Sequence, residues 1–396
     1  MDLYSSQTLA SEAVQPAGTS TVPPAARQLP DQDPKQKLDS SRFVERSTLG
    51  EGAMGAVVLA HDQDIGRNVA IKRVPPLTDK VQATRFSREV QALGKLEHPN
   101  IVPVYDVQRG EDKSFFLIMK HLEGESLEEI INHLSAGNAE YLERFSFSIR
   151  LRIAAVLIDA VGFAHERGFI HRDIKPANIM IGNNGEVSLI DWGLAKTMSA
   201  GADTTPESPV DFAATIQELP ASEANSTLAG VRLGTPLYMS PEQARGDNRN
   251  VSETSDIYSL AVTIYEFLTL SHYLDGNSFQ NVEQVLDAVV AQEARFAYWV
   301  RNPHQEHMPI EFAYWLKTAL RKEQSERFAS AKEMGRTLAC IQDGEFDIVC
   351  PTTLARRVTI SLGVFANRHP LLMIIGVGLT AATLVASAFI VVRALL

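Results

Sequence analysis

The chain is poor in cysteine and has no excess of positive charge. Its 396 residues include two cysteines, Cys340 and Cys350, which cannot build a disulfide framework and are most simply free thiols. The formal net charge of −11 at pH 7 lacks the basic field that a nucleic-acid-binding protein needs. Composition therefore predicts a folded part of cytosolic type and no nucleic-acid partner. The hydrophobic share of 45% is enough for a large core.

Two segments lack the apolar residues that a packed domain needs. Residues 1–41 are rich in Ser, Thr, Pro, Ala and Gln, without an apolar period or the basic-then-apolar run of a signal peptide. Residues 199–230 contain no Lys or Arg and are rich in Ser, Thr, Ala, Glu and Pro. We expect a disordered leader in the first case and an insertion that does not fold alone in the second.

Residues 171–178 read His-Arg-Asp-Ile-Lys-Pro-Ala-Asn and place the groups of phosphoryl-transfer chemistry on one short loop. Asp173 can position an incoming hydroxyl group, and Lys175 can stabilise a transferring phosphate. Asn178 can supply a neutral oxygen ligand to a magnesium ion. This loop is the first candidate for a catalytic site.

A glycine-rich segment lies upstream, between two extended runs. Glycine lets the backbone approach phosphates closely. No helical pattern follows the glycines, which disfavours a dinucleotide-binding fingerprint and favours a hairpin that covers the phosphates. The predicted nucleotide-binding residues of this segment are Leu49, Gly50, Glu51, Gly52, Ala53, Met54, Gly55, Ala56 and Val57.

The next candidate is a lysine at the end of an alternating strand, Lys72. Its position after the glycines makes it the expected ligand of the α- and β-phosphates. Such a lysine needs an anion to hold it. The helical period over residues 85–96 places Glu89 beside an apolar face, and Glu97 is the weaker alternative.

These elements, in this order, resemble those of eukaryotic-type serine/threonine protein kinases, in particular the membrane-anchored kinases of bacteria. The loop matches H-R-D-x-K-x-x-N, and Asp191-Trp192-Gly193 resembles D-F-G with tryptophan in place of phenylalanine. Residues 234–242 resemble the end of a kinase activation segment, with Ser240 in place of alanine. The resemblance covers about residues 42–342.

The resemblance implies a bilobal α+β protein kinase fold, with a small β-rich N-lobe and a larger helical C-lobe. It implies ATP and Mg²⁺ as cofactors and Ser/Thr hydroxyls of proteins as substrates. The implied roles are catalysis for Asp173 and Lys175, ATP binding for Lys72 and Glu89, and metal binding for Asn178 and Asp191.

The same resemblance assigns further positions. Asp256 would be the buried anchor of the catalytic loop, and Arg327 would pair with Glu242. Met119 would be the gatekeeper beside a hinge at residues 120–122. Thr235 would bond near the catalytic loop.

Arg172, which precedes Asp173, implies control by phosphorylation of the activation segment. A phosphate on that segment would form charge-assisted hydrogen bonds with this arginine and order the loop. Thr227 is the nearest candidate hydroxyl, and Thr215, Ser222 and Ser226 also lie in range.

The second strong feature is the uncharged run 371–392. It is long enough to cross a bilayer core of about 30 Å, and the alternative is a buried terminal helix. Arg356, Arg357 and Arg368 precede the run and only Arg393 follows it, which predicts a single-pass protein of the cell membrane with a cytoplasmic kinase domain. Residues 343–370 would be a juxtamembrane linker.

Small residues at Gly378, Ala382 and Ala386 recur every four positions, so the spanning helix would have one close-packing face. A homodimer through this face is therefore a further expectation. Two other functional classes stay open, a pseudokinase scaffold and a small-molecule kinase. The complete set of catalytic side chains argues against a pseudokinase, which need not keep all of them. The segment 234–242 argues against a small-molecule kinase, because such kinases usually lack a segment of this kind.

Overall fold

The structure is a computed structural model. It describes residues 42–52, 55–74, 90, 93–110, 114–192, 196–197, 234–247, 249–305, 307–349 and 351–395. Within these ranges the backbone alone is described at 51, 52, 55, 196, 197, 234, 235, 376–378, 380 and 388–395. The expectations for 1–41 and 199–230 lie outside the described residues.

The first lobe is one antiparallel sheet. Its strands are β1 (Phe43–Gly52), β2 (Gly55–Asp62), β3 (Arg67–Val74), β4 (Val104–Arg109) and β5 (Phe115–Lys120). They lie in the order β1-β2-β3-β5-β4. Val69 and Ile71 of β3 fill a small core with Phe116 and Ile118 of β5. The apolar alternation of β3 therefore buries one face of the strand and leaves Lys72 pointing the other way.

The second lobe is mainly helical. Its helices are α1 (Leu127–Ser135), α2 (Ala139–Arg144), α3 (Phe147–Glu166), α4 (Gly234–Leu237), α5 (Pro241–Ala244), α6 (Glu253–Thr269), α7 (Val282–Ala291), α8 (Ile310–Ala319) and α9 (Ala331–Gln342). The predicted division into a small sheet-rich lobe and a larger helical lobe is confirmed.

Helix α6 forms the centre of the second lobe. Its sequence is apolar on nearly every face, and a helix of that kind must be enclosed by other elements. Tyr258, Leu260, Ile264 and Phe267 are accordingly almost completely buried. The helix stops at Leu270, whose φ of 56° lies in the left-handed region that ends helices.

Short strands connect the two lobes to the predicted catalytic loop. They are β6 (Gly124–Ser126), β7 (Phe169–Ile170), β8 (Ile179–Gly182), β9 (Val187–Leu189) and β10 (Lys196–Thr197). Strands β6, β8 and β9 form a three-stranded sheet, and β7 pairs with β10. The loop 171–178 lies between β7 and β8, and Asp191 follows β9.

Two helices follow α9, and they are α10 (Pro351–Arg368) and α11 (Pro370–Leu395). The segment predicted as a linker is thus largely helical, and α10 contacts α8 through the ion pair of Arg356 with Glu311 at 3.0 Å. Among the residues that the structure describes, no helix combines the length and the apolar character that crossing a membrane requires. The spanning helix therefore stays a prediction.

A buried ion pair joins α5 to the loop before α9. Arg327 donates from both terminal nitrogens to Glu242, with both contacts at 2.9 Å. Arg327 also donates to three backbone carbonyls, and Ser255 donates to Glu242. Burial raises the pKa of Glu242, but the hydrogen bonds and charge of Arg327 outweigh it and lower the pKa to about 2.

We expect Arg327→Ala to lower the free energy of unfolding by about 3–5 kcal/mol near pH 7, because Glu242 is left as a buried carboxylate without a cation. The loss should shrink as the pH falls, since protonation removes the uncompensated charge. Chemical denaturation at several pH values measures both effects. Arg336→Ala is the matched control, because Arg336 is exposed. Equal stability of the two variants would contradict the prediction.

Candidate active site

The predicted catalytic loop is held from below by one buried carboxylate. Asp256 of α6 is 1% exposed and accepts from the backbone N–H groups of His171 at 2.7 Å and Arg172 at 2.8 Å. The ring nitrogen Nε2 of His165 lies 2.9 Å from the same carboxylate. These bonds hold Arg172 at a φ of 69°, in the left-handed region. The loop is therefore fixed before its functional side chains begin.

The three predicted functional side chains of the loop contact one another. Lys175 Nζ and Asn178 Nδ2 both donate to Oδ2 of Asp173, each at 2.9 Å. Asn178 Nδ2 also donates to the backbone carbonyl of Asp173 at 2.8 Å. The residues 176–178 form a 3₁₀ turn that brings Asn178 back toward Asp173. The carboxylate is thus oriented by two donors on one of its oxygens.

Trp192, which replaces the phenylalanine of the D-F-G pattern in the sequence, packs beneath this loop. It is 2% exposed, and its ring lies 4.5 Å from the ring of His171. His171 in turn contacts the backbone carbonyl of Ile190 at 3.1 Å through Nε2, and burial lowers the pKa of His171. Within the described part of the chain, the indole N–H of Trp192 has no hydrogen-bond partner. The larger ring therefore fills space without gaining a polar contact there.

Among the described residues, Lys72 forms an ion pair with Asp191. The register of the sheet sets this position, because Lys72 stands opposite Val57 on β2 and Leu117 on β5. Glu89, the anion predicted for Lys72, lies outside the described residues. The weaker alternative, Glu97, is exposed.

The glycine-rich segment forms the end of the β1–β2 hairpin. Gly50 pairs with Val57, and Gly52 pairs with Gly55 at the tip. Leu49 is exposed, Ala56 and Val57 are half-buried, and only the backbone is described at Glu51, Gly52 and Gly55. Ala53 and Met54 lie outside the described residues. The predicted hairpin is therefore present, while its contacts with a nucleotide stay a prediction.

The structure describes the predicted gatekeeper but only part of the predicted activation segment. Met119 is half-buried and stands opposite Ala70 of β3. The side chain of Thr235 and the candidate phosphorylation sites Thr215, Ser222, Ser226 and Thr227 lie outside the description.

One positioning contact was missed by the sequence reasoning. Gln243 Nε2 donates to the backbone carbonyl of Arg172 at 2.8 Å, which ties α5 to the catalytic loop. Its Oε1 accepts from the backbone N–H and the hydroxyl of Ser240. The spacing of Ser240 and Gln243 is that of a capping box, so the sequence did contain a signal for this helix start.

The donor set fits a hard divalent cation. Asn178 uses its amide nitrogen on Asp173, so its carbonyl oxygen is the atom it can offer to a metal. Asp191 supplies a carboxylate, and Mg²⁺ is typically bound through one or two protein oxygens plus substrate phosphates. The described residues contain no cluster of three or more His, Cys, Asp or Glu side chains arranged around a metal position. A site here would therefore take further oxygens from phosphate and water.

A half-buried acid contacts Tyr238 of the segment 234–242. Tyr238 donates its hydroxyl to Glu266 Oε2 of α6 at 2.6 Å, and its ring meets His272 edge-on at 5.4 Å. Burial raises the pKa of Glu266 to about 7, although the Tyr238 hydrogen bond acts in the opposite direction. Burial also lowers the pKa of His272 to about 4. The contacts of Tyr238 with Glu266 and with His272 were not predicted from the sequence.

Comparison with known proteins adds the family context. Residues 43–337 match the family described as protein kinase domain. The chain is 32% identical over 323 residues to the serine/threonine-protein kinase PknD of Protochlamydia amoebophila. The aligned residues make up 80% of this chain and 32% of that protein. It is 36% identical over 306 residues to the serine/threonine-protein kinase PknD of Chlamydia caviae, and these residues make up 76% of this chain and 30% of that protein.

A probable serine/threonine-protein kinase of Streptomyces coelicolor is 32% identical over 311 residues, which cover 77% of this chain and 40% of the other. The chain thus spans about a third of the length of the curated relatives it matches.

The Glu266 contact predicts a pH-dependent stability. The pKa of Glu266 in the folded chain lies above its ordinary value of 4.5, so the folded state binds a proton at this carboxyl group more tightly than the unfolded state does. Its contribution to stability is complete below about pH 4.5 and is lost as the pH rises through 7. Glu266→Gln should therefore gain stability relative to the parent between pH 5 and 8, by about 3 kcal/mol at most. Thermal unfolding across this range tests it, with exposed Glu283→Gln as the control. A constant difference over the range would show that Glu266 does not titrate there.

Proposed function

Because the chain belongs to the family of eukaryotic-type serine/threonine protein kinases, we propose that it transfers the γ-phosphate of ATP to Ser/Thr hydroxyls of other proteins. The observation that carries this proposal is the convergence of Lys175 and Asn178 on one oxygen of Asp173. Such a carboxylate can accept a bond from an incoming hydroxyl on its other oxygen. The proposal is thus tied to a geometry and not to the family alone.

The residues of the loop divide the work of transfer. Asp173 orients the acceptor hydroxyl and takes its proton, while Lys175 balances the charge on the transferring phosphate. Asp256 is a positioning residue, since it holds the backbone from which Asp173 projects. The contribution expected from such a site is mostly orientation and charge stabilisation.

Nucleotide binding falls to the other lobe. The β1–β2 hairpin covers the phosphates, and Lys72 binds the α- and β-phosphates with Glu89 as its supporting anion. Asn178 and Asp191 would hold Mg²⁺, which would supply positive charge to the phosphates when bound. The carbonyl oxygen of Asn178 and the carboxylate of Asp191 are the atoms that this role requires.

The proposal extends to attachment at the cell membrane, with the kinase domain on the cytoplasmic side. Helix α11 supports it, because the described side chains of Leu371, Ile374, Leu379 and Leu384 are all more than half exposed. Exposed apolar side chains on a continuous helix call for an apolar surrounding. By its sequence, the uncharged run 371–392 is long enough for a crossing, although no helix within the described residues meets the requirements for one.

Attachment would bring two catalytic domains together beneath one membrane. Ala382 and Ala386 are exposed on α11, and with Gly378 they form the small-residue face on which a homodimer would pack. Confinement raises the effective concentration of one domain for the other. Autophosphorylation within residues 199–230, at Thr227 or a neighbour, is the regulatory step that such a pair would perform.

The catalytic assignment predicts the behaviour of Asp173→Asn. Phosphate transfer from radiolabelled ATP to a generic protein should fall at least about a hundredfold, because the acceptor proton has no carboxylate to receive it. Nucleotide affinity should change little, since Asp173 faces the acceptor. The control is Asp287→Asn, an exposed aspartate on α7. Full activity of Asp173→Asn would make the assignment wrong.

The parent protein gives a second discriminating result in the same assay. Transfer to a panel of small molecules but not to protein would identify a small-molecule kinase. Nucleotide binding without any transfer would identify a pseudokinase.

Membrane attachment predicts that the full chain stays with membranes in about 1 M salt, where electrostatic contacts are screened beyond about 3 Å. Leu379→Arg combined with Leu384→Arg should release part of the protein, since a charge in an apolar core costs about 2.5–3.5 kcal/mol. The control replaces both leucines with alanine. Sedimentation measures the retained fraction, and complete release of the parent by salt would refute attachment through α11.

A further inference from the structure

Helix α10 has one face bonded to the second lobe. Thr353 is 1% exposed, and its hydroxyl accepts from the backbone N–H of Val349 at 2.9 Å. Arg356 donates to the buried carboxylate of Glu311 on α8 at 3.0 Å. Ile360 lies directly over Gly344, where a Cβ would come within 2.5 Å of its side chain. Positions 353, 356 and 360 lie on one side of a helix, so this side is the docked face.

The side of α10 turned away from the lobe carries an apolar stripe. Leu354, Val358, Leu362 and Phe365 follow one another at spacings of four, four and three residues, which places them on a single face. They are 46%, 48%, 54% and 43% exposed. A helix with one polar, docked face and one exposed apolar face has an unpaired surface that needs a partner.

The charge around this stripe identifies the partner. The last acidic residue of the chain is Asp347, although the chain as a whole carries a net charge of −11. Beyond it the only charged side chains are arginines, and Arg356, Arg357 and Arg368 belong to α10. An apolar stripe on a purely basic helix complements an anionic lipid surface, which offers an apolar interior beneath negative headgroups.

The position of α10 in the chain supports the same partner. Helix α11 begins at Pro370, directly after the end of α10 at Arg368. Any membrane that receives α11 must therefore lie next to the end of α10. A protein partner would have no such continuity with the apolar terminus.

We propose that α10 lies in the headgroup layer of an anionic bilayer, with the stripe of Leu354, Val358, Leu362 and Phe365 inserted between the lipids. Because the opposite face is bonded to Glu311 of α8, the helix fixes the orientation of the catalytic domain relative to the membrane. This inference rests on the membrane attachment proposed above, and it adds a second, oriented contact to it.

The test uses the full chain with Cys340 and Cys350 replaced by serine and a single new cysteine bearing an environment-sensitive fluorophore. Val358→Cys places the probe in the stripe. Gly363→Cys is the control, because it lies on the side away from the stripe and a Cβ there meets nothing within 4 Å. The labelled proteins are reconstituted in vesicles of phosphatidylglycerol and phosphatidylcholine, with and without a lipid-borne quencher.

The expected result is a blue-shifted emission and a several-fold stronger quenching for the probe at 358 than for the probe at 363. The difference should weaken in vesicles of phosphatidylcholine alone, since the arginines then have no anionic headgroups. An unchanged difference in those vesicles would overturn the role of charge.

Three outcomes would overturn the proposal. If the protein sediments with the vesicles while both probes report water, attachment stands and the contact of α10 with lipid is wrong. A disulfide that links two unlabelled chains of the Val358→Cys variant, with no lipid quenching, would assign the stripe to a second copy. Protein that does not sediment with the vesicles would remove both the attachment and the inference that rests on it.

Discussion

The carboxylate of Asp256 is the constraint on which the site depends. A buried carboxylate must be matched by donors, and here two consecutive backbone N–H groups and the ring of His165 supply them. Because Asp256 belongs to the buried helix α6, these hydrogen bonds attach the loop to the core of the second lobe. The bonds also fix Arg172 in a conformation that a non-glycine residue rarely adopts. Asp256 thus accepts the two backbone hydrogen bonds that fix the start of the loop 171–178.

Helix α6 connects this loop to the end of the activation segment as well. Ser255 donates to Glu242, and Glu266 accepts from Tyr238, so two further side chains of α6 bond to residues 234–242. Gln243 of α5 joins this segment to the catalytic loop, because its amide nitrogen donates to the backbone carbonyl of Arg172. The end of the activation segment, helix α6 and the catalytic loop are therefore parts of one hydrogen-bonded unit.

The sequence predicts the features that local patterns determine, but not the contacts between residues far apart in the chain. The alternation of Val69 and Ile71 predicted the strand that carries Lys72, although β3 continues to Val74, and the two-lobed fold was implied by the resemblance to protein kinases. The Tyr238–Glu266 contact joins residues 28 positions apart, and no periodicity encodes it. The contact of Arg356 with Glu311 joins residues 45 positions apart and was not predicted either, since the sequence predicted only a linker over residues 343–370.

The ion pair of Lys72 with Asp191 occupies the two groups that are proposed to bind phosphate and metal. The ammonium group lies against the carboxylate that is proposed to bind a divalent cation. A divalent cation on Asp191 would displace the weaker attraction of the ammonium group, and phosphates on Lys72 would displace that of the carboxylate. Each exchange releases the partner that the other requires, so nucleotide and metal should bind this pair together more favourably than either binds alone. In the ion pair, Lys72 and Asp191 neutralise each other; in the bound state, phosphate would take the place of the carboxylate beside Lys72, and the divalent cation would take the place of the ammonium group beside Asp191.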